Sequence, residues 1–226
     1  MQDGEVPGTS LIRAGTVRME GVLRMPADGA PVVVFAHGSG SGRHSPRNRL
    51  VASVLQEAGL GTLLLDLLTP REAEDRRAVF DIPLLARRLA AAEEWIRRQP
   101  ASRSSPVGYF GASTGAGAAL WAAAEPGARV RAVVSRGGRP DLAGPRLGAV
   151  QAPTLLIVGG ADHRVLELNR EALVHLRCET RLEVVEGATH LFEEAGTLER
   201  AAGLARDWFL QHLPGHDGEG ATTGRA

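Results

Sequence analysis

The chain has 226 residues, 43% of them hydrophobic and 23% charged, with a formal net charge of zero. These are ordinary globular values, which exclude wholesale disorder and a collagenous or low-complexity chain, and the length suits one sizeable core rather than two. A balanced charge also excludes nucleic-acid binding driven by a global basic field, which leans on many phosphate contacts.

Residues 1–9 are expected to form a flexible N-terminus. Thr9 to Arg13 and Thr16 to Met25 flank Ala14-Gly15 and read as an antiparallel hairpin. Pro31 to Ala36 is apolar and β-branched, and a Gly/Ser cluster ends it; it reads as a buried strand. A helix is expected over about 46–58, then a strand over 62–66. The charged stretch from Pro70 to Arg77 is expected to be surface loop. Leu85, Leu89, Ala92 and Ile96 recur at helical spacing, with Glu93 to Arg97 and Glu94 to Arg98 as i,i+4 pairs. Further strands are expected at 107–110, 130–134, 153–158 and 181–185. Helices are expected at about 114–124, 165–176 and 195–212. Continuous rather than alternating apolar runs suit strands covered on both faces. Their alternation with helices predicts an α/β fold with a doubly wound, mainly parallel sheet, led by an antiparallel hairpin. Residues 10–213 make one domain in this reading. Residues 214–226 carry almost no apolar side chain and are expected to be disordered.

The strongest chemical signal is Gly111-Ala112-Ser113-Thr114-Gly115, between a predicted strand and a predicted helix. A G-x-S-x-G sequence in that context is a nucleophile elbow, which lifts the serine hydroxyl to the tip of a sharp turn at the positive end of a helix. A serine needs a base and an acid. His190 follows the last predicted strand. Asp162 follows the strand at 153–158, so the order Ser113, Asp162, His190 places each residue at the carboxyl end of a strand, where open α/β sheets bind ligands. Asp141 is the reserve acid, and Asp66 reads as a loop-capping carboxylate. His37-Gly38-Ser39-Gly40 follows the early strand and offers an oxyanion loop; the backbone N–H groups of Ser39 and Thr114 are the expected donors. His37 reads as structural.

Arg43, His44 and Arg47 come next, and Arg136 follows a neighbouring strand. They suit either a solvated surface or a wall that binds a carboxylate or phosphate on the substrate. All 26 basic residues are arginine. The absence of lysine excludes Schiff-base chemistry and lysine-dependent nucleotide loops. No metal-ligand spacing and no dinucleotide fingerprint is present, so no metal and no cofactor are expected. The one cysteine, Cys178, allows no intramolecular disulfide. No apolar run approaches the ~20 residues of a membrane helix, and the acidic start is unlike a signal peptide. A cytoplasmic location without membrane or nucleic-acid partners is therefore expected; the sequence carries no signal of oligomeric state.

Over residues 10–213 the chain resembles the α/β-hydrolase superfamily, within it the dienelactone-hydrolase-like branch. The resemblance implies Ser113, Asp162 and His190 as a triad and Ser39 and Thr114 as oxyanion donors. Dienelactone hydrolases carry cysteine where this elbow holds Ser113, and Cys178 is far from it in sequence and is expected to be inert. Only about 17 residues separate Val134 from Ala152, too few for the cap domain that lipases insert there. The implied activity is hydrolysis of small soluble esters, lactones or thioesters through an acyl-enzyme. A peptidase with the same triad and a non-catalytic binding protein on the same fold remain the alternatives.

Overall fold

The computed structural model describes residues 8–214. Apart from residues 8, 9 and 214, the expected flexible N-terminus and disordered tail lie outside the described residues. The strands are β1 (Ser10–Ala14), β2 (Val17–Arg24), β3 (Val32–Ala36), β4 (Gly61–Leu65), β5 (Val107–Ala112), β6 (Ala132–Arg136), β7 (Thr154–Gly159) and β8 (Thr180–Val185). They form one sheet in the order β1-β2-β4-β3-β5-β6-β7-β8. β1 and β2 pair antiparallel through a two-residue turn, and β2 joins β4 antiparallel. Every pairing from β4 to β8 is parallel.

The helices are α1 (Pro46–Glu57), α2 (Pro70–Ala73), α3 (Arg76–Val79), α4 (Ile82–Arg98), α5 (Thr114–Ala123), α6 (His163–His175) and α7 (Thr197–His212). β3 shows why its apolar run is unbroken. Val32 and Val34 pack with α4 and α5 residues such as Leu89 and Leu120. Val33 and Phe35 face the other way, into a core with Val51 and Leu55 of α1 and Phe209 of α7. Both faces are dry, so period-two alternation has no polar side to show. Each such side chain, fully buried, contributes about 1.5–3 kcal/mol. Among the described residues no helix is long and apolar enough to cross a membrane.

Two local differences from the sequence reading matter. β6 begins and ends two residues later than expected, so Ser135 and Arg136 belong to the strand and are buried. The apolar run stops at Val134, but the ladder to β5 and β7 continues through Arg136. Second, the charged stretch after β4 is not plain loop; it forms α2 and α3. Thr69 and Glu72 make a reciprocal capping box on α2. Glu72 also grips Arg88 of α4 with both carboxylate oxygens, at 2.6 and 2.5 Å, while Arg88 donates to the Leu67 carbonyl at 2.7 Å. Arg88 is only 5% exposed, so this clasp ties α2 to the body of the protein. The Arg88 guanidinium holds the Glu72 carboxyl down at about 2.

Replacing Glu72 by Ala strands a buried guanidinium on one carbonyl and is expected to cost about 2–3 kcal/mol in urea unfolding at pH 7. A carboxyl whose folded pKa is depressed stabilises the fold fully above its unfolded value. The deficit of the variant should therefore hold above about pH 5 and shrink as pH falls from about 4.5 towards about 2.

Candidate active site

Strand order reverses around β3: the chain leaves it for β4 on one side and returns to β5 on the other. Open sheets bind ligands at such switch points, beyond the carboxyl ends of the strands. The loop after β3 and the turn after β5 meet there. Ser113, between β5 and α5, sits at φ 50°, ψ −121°, a strained conformation worth roughly 1–3 kcal/mol for a residue with a side chain. The surroundings hold it. Its N–H donates to the Arg136 carbonyl at 3.3 Å, and its carbonyl accepts from the N–H groups of Ala116 and Arg139, each at 3.1 Å. Second in the helix, Gly115 leaves no room for a side chain: a Cβ there would lie 2.0 Å from the Ala36 carbonyl oxygen. The loop after β3 is thereby seated directly on the elbow.

His190 comes from the loop after β8. Its Nε2 lies 3.3 Å from Ser113 Oγ, and its Nδ1 lies 2.7 Å from Asp162 Oδ2. An ionised carboxylate only accepts, so Nδ1 carries the proton and the Nε2 lone pair faces the serine hydroxyl. Asp162 follows β7 and is also the N-cap of α6, where Oδ1 accepts from the Val165 N–H at 3.4 Å. One oxygen holds the helix and the other holds the imidazole. The close approach depends on Gly159, where a Cβ would stand 2.3 Å from the Ala188 carbonyl oxygen. The three side chains singled out in sequence thus form one hydrogen-bonded chain. Asp141 takes no part; it pairs with Arg139 at 2.8 and 2.7 Å.

The loop after β3, expected to supply an oxyanion donor, holds a feature that sequence reasoning missed. The Ser39 N–H donates to Thr114 Oγ1 at 3.0 Å, and Thr114 is buried. One of the two expected donors is therefore engaged by a side chain of the elbow itself. A hydroxyl directly after Ser113 was the available signal. His37 is structural, as its place suggests. Its Nε2 accepts the Leu67 N–H at 3.0 Å and its Nδ1 lies 2.9 Å from the Gly38 carbonyl. Burial lowers its pKa, which fits a neutral ring pinning the loop to the exit of β4.

The arginines divide. Arg43 does not reach the site. Its backbone N–H donates to Asp66 at 2.7 Å, and its guanidinium pairs with Asp66 and Glu20. Two carboxylates on its own side of the loop hold it there. His44 is exposed and does not line the Ser113 cavity. Arg47 and Arg136 do line it, in a cavity of 190 Å³ that also touches Ser113 and His190. A larger recess of 510 Å³, between Leu147 and α6, is remote from Ser113. Cys178 lies at the opposite edge of the sheet, its Sγ near Thr154 and Thr180 at the start of β7 and β8.

This architecture, with a serine at the strand-to-helix turn of the switch point, is the α/β-hydrolase fold. The chain belongs to the dienelactone hydrolase family, whose model matches residues 19–209. It is 53% identical to a dienelactone hydrolase from Anabaena variabilis ATCC 29413, with a TM-score of 0.88 over 91% of this chain and 97% of that one. Est1E from Butyrivibrio proteoclasticus shares the fold at 15% identity, with a TM-score of 0.77 over 91% of this chain and 98% of that one. A Mycobacterium tuberculosis protein provisionally named a phosphoribosyl transferase is 63% identical over 202 residues, which are 89% of this chain and 46% of that protein. The chain thus spans about half the length of the curated relatives it matches.

The seat of the elbow can be tested with two glycines. Gly115→Ala drives a Cβ into the Ala36 carbonyl and is expected to destabilise by more than about 3 kcal/mol, or to abolish soluble expression. Gly203→Ala, inside α7 with nothing within 4 Å of its Cβ, should stabilise by about 0.5–1 kcal/mol. Urea melts of both variants give the comparison.

Proposed function

We propose that the protein is a serine hydrolase that cleaves small carboxylic esters, with lactones and thioesters as chemically equivalent substrates. One observation carries this reading: a strained serine at the tip of the elbow continues into an imidazole and a carboxylate at 3.3 and 2.7 Å. In this mechanism Ser113 Oγ attacks the ester carbonyl while His190 Nε2 takes its proton. His190 then gives that proton to the departing alcohol, leaving an acyl-Ser113. Water, deprotonated by His190, cleaves the acyl-enzyme and restores the serine. Asp162 fixes the tautomer and stabilises the imidazolium. The oxyanion lies at the positive end of α5, against the Thr114 N–H. The Ser39 N–H turns from the Thr114 hydroxyl to the oxyanion as charge develops.

The imidazole side chain is 39% exposed and the cavity beside it is small, which suits a compact soluble ester better than a membrane lipid. The transferase name belongs to relatives more than twice as long as the matched segment, and the hydrogen-bonded serine, imidazole and carboxylate favour hydrolysis over it. Action inside the cell on a small-molecule ester, without metal or cofactor, completes the proposal.

A panel of small aryl esters tests it. Ser113→Ala should lower turnover by at least about 10³-fold, because only binding and oxyanion stabilisation remain. A fluorophosphonate should label Ser113. Labelling of Cys178 instead, or undiminished activity in Ser113→Ala, would overturn the assignment. Asp162→Asn should lower kcat by about 10⁴-fold through the wrong imidazole tautomer, while Asp141→Asn stays within about twofold. The reverse ranking would reject Asp162 as the orienting acid.

A further inference from the structure

Arg136 is the last residue of β6 and is 7% exposed. Its Nε and Nη1 have no hydrogen-bond partner, and among the described residues no carboxylate forms an ion pair with it. The other well-buried arginines are matched: Arg88 by Glu72, Arg97 by Glu93, and Arg43 by Asp66 and Glu20. Arg136 has only the ring of Phe192, 5.5 Å from its guanidinium carbon. Phe192 is itself held at φ 56°, a strained backbone that keeps the ring beneath the charge. Burial first, and the nearby Arg47 second, lower the Arg136 pKa to about 10, so the group is still a cation at neutral pH. A buried cation without a counter-charge is costly, and the usual remedy is a hydrogen-bonded anion.

The cavity that Arg136 shares with Ser113 supplies the place for one. Arg47 lines it too, paired only with Glu193 at 3.3 Å near the surface. Ser45, the N-cap of α1, is on the same wall, and the first turn of α1 holds no acidic residue. This helix N-terminus adds partial positive charge, although Pro46 has no N–H and the Asn48 N–H is taken by Ser45 Oγ at 3.4 Å. The opposite side of the oxyanion loop is different in kind. A cavity of 300 Å³ there is walled by Leu68, Val79 and Leu85 and shares Gly38 and Ser39 with the Ser113 cavity. An ester held between the two cavities presents one half to each.

We propose that the substrate carries an oxyanion, a carboxylate or a phosphate, seated against Arg136 and Arg47, and an apolar group seated beneath Leu68, Val79 and Leu85. Arg136 is then a specificity-determining residue. The proposal rests on the serine-hydrolase reading of the same site.

The test compares esters with one acyl chain and a neutral, a carboxylate-bearing or a phosphate-bearing half, at low salt. Wild type should prefer one anionic ester over the neutral one by at least tenfold in kcat/KM, and the better of the two identifies the oxyanion. That ratio should approach one in Arg136→Gln and fall partway in Arg47→Ala. It should be unchanged in Arg43→Ala, whose side chain points elsewhere. Val79→Trp should shift preference towards shorter acyl chains. Calorimetry with acetate and with inorganic phosphate on the Ser113→Ala protein gives a readout free of turnover: saturable binding of one of them is expected, and its loss in the Ser113→Ala, Arg47→Ala double variant. If Arg136→Gln does not fold, the Arg47→Ala ratio and this binding decide. Hydrolysis of the neutral ester with no anionic preference and no saturable anion binding overturns the proposal and leaves Ser113 standing. Saturable anion binding without turnover of any ester supports the anion site and overturns the hydrolase reading.

Discussion

The contact between Gly115 and the Ala36 carbonyl oxygen organises everything above the sheet. With no side chain at Gly115, α5 starts hard against the end of β3, and the reversal from strand to helix is completed in one residue. That residue is Ser113, and its positive φ is the geometric remainder of a turn too tight for ordinary backbone. The loop after β3 then has no choice but to lie across the elbow, which brings Ser39 to Thr114. β6 answers from the other side, its last carbonyl accepting the Ser113 N–H. The strained turn is thus gripped from both flanking strands. A looser junction would let it relax and carry the hydroxyl away from His190.

Most of this was legible in the sequence, for reasons that differ by element. The parallel strands announce themselves because both their faces are buried, and Val32 to Phe35 has no polar side to confuse the pattern. The elbow is legible because a tight turn demands small residues at fixed offsets. Asp162 and His190 are legible by position, each just past a strand that ends at the same edge. The misses are tertiary. Arg136 comes two residues after an apolar run and so looks like a loop residue, yet the ladder continues through it and buries it. α2 is a single turn whose persistence depends on Arg88, 16 residues further on, and no local pattern records that. Thr114 was read for its backbone alone, while its hydroxyl occupies Ser39.

Arginine plays opposite parts within one sheet. Arg43, Arg88 and Arg97 are structural: each carries its charge into partial or full burial by bringing a carboxylate with it. Such pairs resist disruption because removing either partner strands the other. Arg136 is built to the contrary plan, a cation enclosed by an aromatic ring, a glycine-rich turn and a second cation. Composition could not separate these roles, since all basic residues in the chain are arginine. The partner list separates them at once.

Cys178 has a practical consequence. It is the single thiol of the chain, partly accessible, and placed at the amino edge of β7 and β8, a full strand length from Ser113 at the carboxyl edge. A maleimide dye or a spin label could be attached there without engineering a new cysteine or removing a native one. All three tryptophans lie in helices, two of them in α4 and α5. Each sits late in its helix, and Trp208 donates to the Pro153 carbonyl beside Thr154, so these tryptophans share the amino edge with Cys178, and a label there reports on the base of the sheet and leaves the Ser113 edge untouched.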